Sequence, residues 1–435
     1  MTIRLVRNAA LAATILVSTA LQAQDTEQLI LDGVDAELES ARALLQRSVE
    51  VNSGTMNFAG VRANGNLLAP EFSKLGFDVA WIDGAPFNRA GHLVARLENG
   101  GLRLLLIGHL DTVFAIDSPF QNYLPLPGDR VKGPGITDMK GGNVIMLTAL
   151  KALDAAGLLD RISVHAILTG DEESRGRPLD IATRELVDSA RWADIALGFE
   201  DGDGNPETAV ISRRSASSWS LVVTGTPAHS SQIFQPDIGY GAVFEAARIL
   251  DGFRTSLEPM QDLTFNPGVL VGGTDIDLDG TTKRGTAFGK TNVIARSLKA
   301  RGDLRAVSPE QLAAARSKMR EIVAGSLPGT TAELVFSDSY PPMAPTVANR
   351  KLLEIYSRVS SDLGYGPVAA VNPRNAGAAD ISFAAAHVDM ALDGLGLMGT
   401  GGHTDNEIAD MTTLESQAKR AAILIYRLSQ RASSP

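Results

Sequence analysis

Along this chain, short apolar runs alternate with longer segments whose apolar positions recur every three or four residues. Residues 102–107, 162–168 and 193–197 are nearly continuous apolar runs, the pattern of strands buried on both faces. Residues 77–82 and 91–97 read as further strands. Helical spacing marks 35–49, which stops at Asn52-Ser53-Gly54, then 61–75, closed by Gly76, and 143–156. Strands alternating with helices predict an α/β layer. The rhythm breaks after Arg213. Residues 218–224, 291–295, 302–307 and 332–336 read as strands, with helices over 239–253 and 309–324. That order predicts an inserted α+β domain over 214–337. Helices over 350–363 and 413–430 and a strand over 390–395 resume the first pattern, and Gly377-Ala378-Ala379-Asp380 opens a further helix.

The 435 residues exceed what one hydrophobic core serves, so a first domain over 24–213 and 338–435 interrupted by the insertion is expected. Residues 1–23 carry Arg4 and Arg7, then an apolar stretch too short to span a bilayer, then small residues. This predicts an export signal cleaved after Ala20 or Ala23, and a periplasmic or secreted protein with no membrane attachment after cleavage. No cysteine is present, so any metal must be held by His and carboxylates. The net charge of −10 argues against a nucleic-acid partner.

Chemistry-bearing residues collect where the buried strands end. Gly108-His109-Leu110-Asp111 follows the first, and a His with an Asp two residues on can be a metal ligand and its orienting carboxylate. Gly170-Asp171-Glu172-Glu173 follows the second; three consecutive acids repel one another unless a cation is near. Phe199-Glu200-Asp201 follows the third. The carboxyl ends of such strands are where an open α/β sheet binds ligands. A glycine-rich loop, Gly133-Pro134-Gly135 to Gly142, holds Asp138, which is either a helix N-cap or a carboxylate aimed into a site; the loop lacks the Gly-Lys-Ser/Thr ending of a phosphate loop. Gly401-Gly402-His403-Thr404-Asp405 exposes one more His. Asp275-Ile276-Asp277-Leu278-Asp279-Gly280 imitates a calcium loop, but Thr286 stands at the twelfth position, so a hairpin tip is expected. His92, His165 and His387 read as structural.

Lined up in order, these motifs, with Gly225-Thr226-Pro227-Ala228-His229-Ser230 in the insertion, resemble the dizinc metallopeptidase family that includes glutamate carboxypeptidase, aminoacylase and succinyl-diaminopimelate desuccinylase. The resemblance implies a zinc-peptidase-type catalytic domain, with a mixed sheet flanked by helices, and an inserted ferredoxin-like lid and dimerisation domain. It implies two zinc ions, with cobalt or manganese as substitutes. Asp138 would bridge them, His109 and Glu200 would complete one site, and Glu173 and His403 the other. Asp111 would orient His109, and Glu172 would be the general base. His229 would donate to the developing oxyanion, and Asn292 and Arg305 would bind the substrate and its carboxylate. Four nitrogen or oxygen ligands per ion suit zinc while leaving a reactive position.

Residues 375–380 depart from the Gly-Gly-Gly-Thr-Asp that relatives carry there, which leaves the substrate side chain open. Arg213 and Arg214 are expected at the surface. The expected activity is cleavage of an amide next to a free carboxylate in a small peptide or N-acyl amino acid, as by glutamate carboxypeptidase. An aminoacylase, a dipeptidase and a non-catalytic binding protein on the same fold are the alternatives. A homodimer through the lid is also expected.

Overall fold

The strand Leu102–His109 is buried at every position except Arg103, as its apolar run predicts. Numbering the central strands in chain order gives β1 (Asp78–Asp83), β2 (Gly91–Glu98), β3 (Leu102–His109), β4 (Ile162–Thr169), β5 (Ile195–Gly198) and β6 (Met390–Leu392). They lie in the order β1-β2-β4-β3-β5-β6. The pairs β4/β3, β3/β5 and β5/β6 are parallel, whereas β1/β2 and β2/β4 are antiparallel, so the sheet is mixed. All eight residues of β4 are buried, as a central strand covered on both faces must be.

The computed structural model describes residues 2–279 and 284–432, with side chains from 24 to 279 and 284 to 431. The expected export signal therefore lies where no side chain is described. The first helix runs Thr2–Val49, longer than the predicted 35–49. Among the described residues, no helix is long and apolar enough to cross a membrane.

The helix Gly141–Ala155 is apolar on nearly every side and is buried almost throughout. It packs between the first helix and Thr412–Ala432. A small antiparallel sheet pairs Ile408–Asp410 with Arg130–Lys132. That pairing joins the His403 loop to the Asp138 loop although more than 260 residues separate them.

The chain divides into two compact units. One comprises 1–211, 346–371 and 379–435; the other comprises 212–345 and 372–378. In the second unit, four antiparallel strands lie in the order Thr264–Gly273, Ser297–Arg305, Ala216–Gly225, Thr330–Tyr340. Helices Gly241–Leu257 and Pro309–Ala324 complete a βαββαβ, ferredoxin-like unit. Its core includes Trp219, Leu221, Val223, Ile249 and Phe253.

In the second unit, two elements differ from expectation. No strand forms over 291–295; a single bridge pairs Val293 with His229. The strand Thr264–Gly273 has no counterpart among the expected elements, and it carries Pro267, Gly268, Gly272 and Gly273. It is an edge strand with an irregularity between Pro267 and Val269, where proline is tolerated. Asp275–Leu278 pairs with Gly285–Phe288 as the predicted hairpin, whose tip lies outside the described residues.

Candidate metal centre

Three central strands end on the same edge of the sheet. His109 is the last residue of β3, and Glu172–Glu173 and Glu200 follow β4 and β5 within a few residues. The buried His109 ring places Nδ1 3.0 Å from the Asp111 carbonyl oxygen, which leaves Nε2 for the site. That Nε2 lies 3.0 Å from Asp138 Oδ1 and 3.5 Å from Glu200 Oε1. On the other side of Asp138, His403 Nε2 lies 2.8 Å from Asp138 Oδ2 and 3.2 Å from Glu173 Oε2. His109, Asp138 and Glu200 thus form one donor group and Asp138, Glu173 and His403 a second, with the donor atoms of each within 4.8 Å of one another. Of the two sequence readings of Asp138, the N-cap is excluded: Lys140 occupies the N-cap position, and the Asp138 carboxylate faces the two imidazoles.

Behind the donor groups lie carboxylates whose work is to hold backbone. Asp111 is closer to His109 through its carbonyl than through its carboxylate, whose Oδ1 is 3.5 Å from Nδ1. The Asp111 carboxylate accepts from Thr55 Oγ1 at 2.6 Å and from the backbone amides of Glu172 and Glu173 at 3.0 and 3.1 Å. It therefore fixes the acidic turn as well as the His109 turn. Glu407, fully buried, accepts from the amides of Gly135 and Thr137, both at 2.8 Å, and of Asp138 at 3.2 Å. Asp393, also buried, accepts from the Glu200 amide at 3.3 Å. Glycines permit the close approach. A Cβ on Gly142 would stand 1.8 Å from the Phe199 carbonyl oxygen, next to Glu200, and Gly135 turns with φ +67.

The electrostatics follow from crowding acids and imidazoles together. Burial pushes the Glu172 carboxyl well above the usual range, and the Asp380, Glu200 and Glu173 charges push it further against the pull of His109. Burial and the Asp138 charge raise Glu173 to about 7. Hydrogen bonds to Asp138 and Glu173 raise His403 to about 11. Burial alone would lower His109, but the Glu200 charge and bonds to the three acids hold it well above the ordinary histidine value. Burial also raises Asp201 well above, and Glu407 to about 7. Such a cluster is matched to cations. Two imidazoles and three carboxylates are the donor set of cysteine-free zinc sites, and Glu173 Oε1 is buried with no hydrogen-bond partner. The residues fit two divalent ions.

The remaining expected residues fall elsewhere. In the second unit, His229 is exposed; its Nδ1 accepts from the Ser231 amide at 3.3 Å, which places the proton on Nε2. The amide of Ser230 donates to the Asn292 carbonyl at 2.9 Å, so the His229 and Asn292 turns are tied together. Arg305 ends its strand and pairs with Asp303 at 3.1 Å. Arg213 is buried, against expectation, and donates to the Gly377 carbonyl; Arg214 is half-buried and donates to that of Pro373. Both hold the segment 372–378 in the second unit. Asp380 is buried and paired with Arg175, which also meets Asp171 at 2.5 Å. His92 stacks on Phe87 and accepts from the Gly170 amide at 3.1 Å, steadying the turn that leads to Glu172. Glu407 and Asp393 carried no sequence signal, because nothing in their flanking residues tells that they receive backbone amides from distant turns.

Comparison with known proteins agrees with this geometry. The model of Peptidase family M20/M25/M40 matches residues 105–428. Carboxypeptidase G2 of a Pseudomonas species is 26% identical over 432 residues, covering 97% of each chain. A succinyl-diaminopimelate desuccinylase of Methylocella silvestris is 34% identical, but over only 23% of this chain and 26% of its own. Among solved structures, an aminopeptidase of Bacillus cereus superposes with a TM-score of 0.69 at 20% identity, covering 89% of this chain and 98% of that one. A Bacillus subtilis protein described as a dinuclear metal-binding peptidase superposes with a TM-score of 0.61 at 16% identity, covering 90% and 99%. With family motifs, fold and paired donor groups in agreement, this chain belongs to Peptidase family M20/M25/M40 and is a metal-dependent hydrolase.

Proposed function

We propose that this protein is an exported dizinc exopeptidase that removes a residue bearing a free carboxylate, in the manner of a glutamate carboxypeptidase. The observation that carries the reading is Asp138, whose two carboxylate oxygens face two separate imidazoles at 3.0 and 2.8 Å, each backed by a further acid. In this reading Asp138 is shared, His109 and Glu200 complete one zinc site, and Glu173 and His403 complete the other. The full-length similarity to Carboxypeptidase G2 favours a carboxypeptidase over an aminoacylase or dipeptidase.

Zinc, when bound, would polarise the scissile carbonyl and acidify a water. Glu172 adjoins a ligand without belonging to either donor group, so it is the residue to take the water's proton and pass it to the leaving amine. Burial raises its pKa, and neighbouring cations would draw it back towards the range where it exchanges protons near neutrality. His229, with its proton on Nε2, is the donor to the carbonyl oxygen as charge builds there. Arg305 and Asn292 receive the substrate carboxylate, a guanidinium being suited to two parallel bonds. Export follows from residues 1–23, and assembly as a homodimer through the inserted domain is part of the same reading.

The test is a hydrolysis screen of dipeptides and N-acyl amino acids on metal-loaded protein, with metal content measured alongside. Release of a C-terminal residue from substrates with a free carboxylate, at about two zinc ions per chain, is expected. Activity confined to carboxyl-blocked substrates would sink the reading.

A further inference from the structure

In the second unit, two helices cover one face of the four-stranded sheet, where Trp219, Leu221, Ala300 and Leu304 join the core. The residues that alternate with them point to the other face, as the period of a strand requires. Two rows cross that face. One is Val269, Arg301, Ser220 and Val335; the next is Asn266, Asp303, Ser218 and Ser337. The hairpin of Asp275–Leu278 and Gly285–Phe288 follows the edge strand Thr264–Gly273 and packs against it. Its seat is tight: a Cβ on Gly285 would stand 2.4 Å from Val271 Cγ2, and the Thr274 amide donates to the Phe288 carbonyl at 2.9 Å. Hairpin and sheet wall a cavity of about 440 Å³, lined by Asn266, Val269, Leu278, Arg301 and Asp303 among others. That volume lies in the range of small-molecule sites, about 300–1,000 Å³.

The charges on this wall are not matched to one another. Arg301 and Asp303 share a strand and a face, roughly 7 Å apart along the chain. Asp303 nevertheless turns to Arg305, accepting from its Nε on Oδ2 at 3.1 Å. Arg301 is half-buried and, among the described residues, has no hydrogen-bond or ion-pair partner. A guanidinium withdrawn from water with no acid on it is completed by an anion, and a carboxylate matches its fork with two parallel bonds. Asp303 restricts that anion further. Its Oδ1 is left over from the bond to Arg305, so it repels a dianion and attracts an ammonium group. Val269 and the buried Leu278 supply an apolar surface beside the two charges.

We infer that this cavity binds a free α-amino acid with an apolar side chain. Arg301 receives the carboxylate, Asp303 the ammonium group, and Val269 and Leu278 the side chain. None of these residues belongs to the two donor groups, so the inference holds whether or not the proposed reaction does.

The experiment is calorimetry on the zinc-loaded full chain with leucine, glycine, 4-methylpentanoate, isopentylamine and inorganic phosphate. 4-Methylpentanoate is leucine without its ammonium group, and isopentylamine is leucine without its carboxylate. Leucine should bind roughly tenfold more tightly than glycine or 4-methylpentanoate, and isopentylamine and phosphate should not displace it. Arg301→Gln keeps the stem and removes the charge. It should weaken leucine binding about tenfold or more, with zinc content and Tm unchanged. Val269→Ala should cut the preference for leucine over glycine by about threefold or more. No leucine binding by the wild type, or binding that Arg301→Gln leaves intact, overturns the inference. Equal binding of 4-methylpentanoate, or displacement of leucine by phosphate, overturns it too, since either would make the cavity a plain anion site.

Discussion

Glu172 and Glu173 are adjacent in sequence and differ in chemistry. Glu173 shares the His403 imidazole with Asp138, whereas Glu172 belongs to neither donor group. Glu172→Gln is expected to keep both metals and to lose roughly 10²–10⁴-fold in turnover. A near-normal rate in a folded, metal-loaded variant would place the base elsewhere. Glu407 offers a different case, because it touches no substrate in the proposed reaction. Glu407→Ala would leave three amides of the Asp138 loop without their acceptor, at about 1–3 kcal/mol for each buried group left unpaired. The expected result is a roughly 10–100-fold loss of metal affinity in chelator competition. Unchanged affinity would show that the loop holds its shape without Glu407. For the second unit, His229→Ala should lower kcat with metals intact. Arg305→Ala should mainly raise KM for substrates with a free carboxylate, so equal losses in kcat for both would refute the division of roles.

At the scale of elements, the contact between the helix Gly141–Ala155 and the turn after β5 sets how close Asp138 and Glu200 come. Gly142 allows that contact, since a Cβ would meet the Phe199 carbonyl oxygen at 1.8 Å and that backbone cannot rotate away. Gly142→Ala should therefore cost about 1–3 kcal/mol or more, seen as a lowered Tm, and should weaken metal binding. Gly268→Ala, on an edge strand with only Asn266 Nδ2 near, is the control and should stay within about 0.5 kcal/mol. Equal effects of the two would remove the close approach as the reason for Gly142. Elements also explain where sequence reading failed. The strand Thr264–Gly273 carries a proline and three glycines, yet its pairing with Ser297–Arg305 holds it in the sheet. The expected strand over 291–295 had the apolar content but formed only the bridge to His229.

For the whole molecule, metal and protons are linked. Without metal, His403 is raised from the ordinary 6.5 to about 11 by its bonds to Asp138 and Glu173, so it is protonated at neutral pH. The bond to Asp138 stabilises the metal-free protein below about 6.5 and is lost as the pH rises through about 11, whereas Glu173, itself raised to about 7, gives up its share of the pairing on acidification. Zinc requires the neutral imidazole, and His109 is likewise held well above its ordinary value. Zinc uptake should therefore release protons, which calorimetry in buffers of different ionisation enthalpy would register, and acidification should expel the metal. Uptake without proton release at neutral pH would contradict this linkage. Chelation should abolish activity and lower Tm, with zinc restoring both. The homodimer is tested by mixing His229→Ala with Glu172→Gln protein. Recovery of activity places His229 in the partner's site, whereas no recovery despite subunit exchange confines it to its own chain.

The sequence by itself determined the turns that carry the donor groups. Continuous apolar runs fix buried strands, and acids or imidazoles at their ends fall on one sheet edge because parallel strands share a direction. It also determined the interruption of the α/β rhythm, since a change of period reports a change of core. What only the tertiary structure decided is which distant backbone each buried carboxylate holds. Glu407 receives amides from residues 135–138, Asp393 receives that of Glu200, and Asp380 pairs with Arg175. Arg213 and Arg214, which read as solvated, are spent on the carbonyls of a segment some 160 residues away. Local propensity reports apolar faces and turn chemistry. A hydrogen bond to a remote amide leaves no period and no spacing along the chain, so it is settled only when the fold brings the two together.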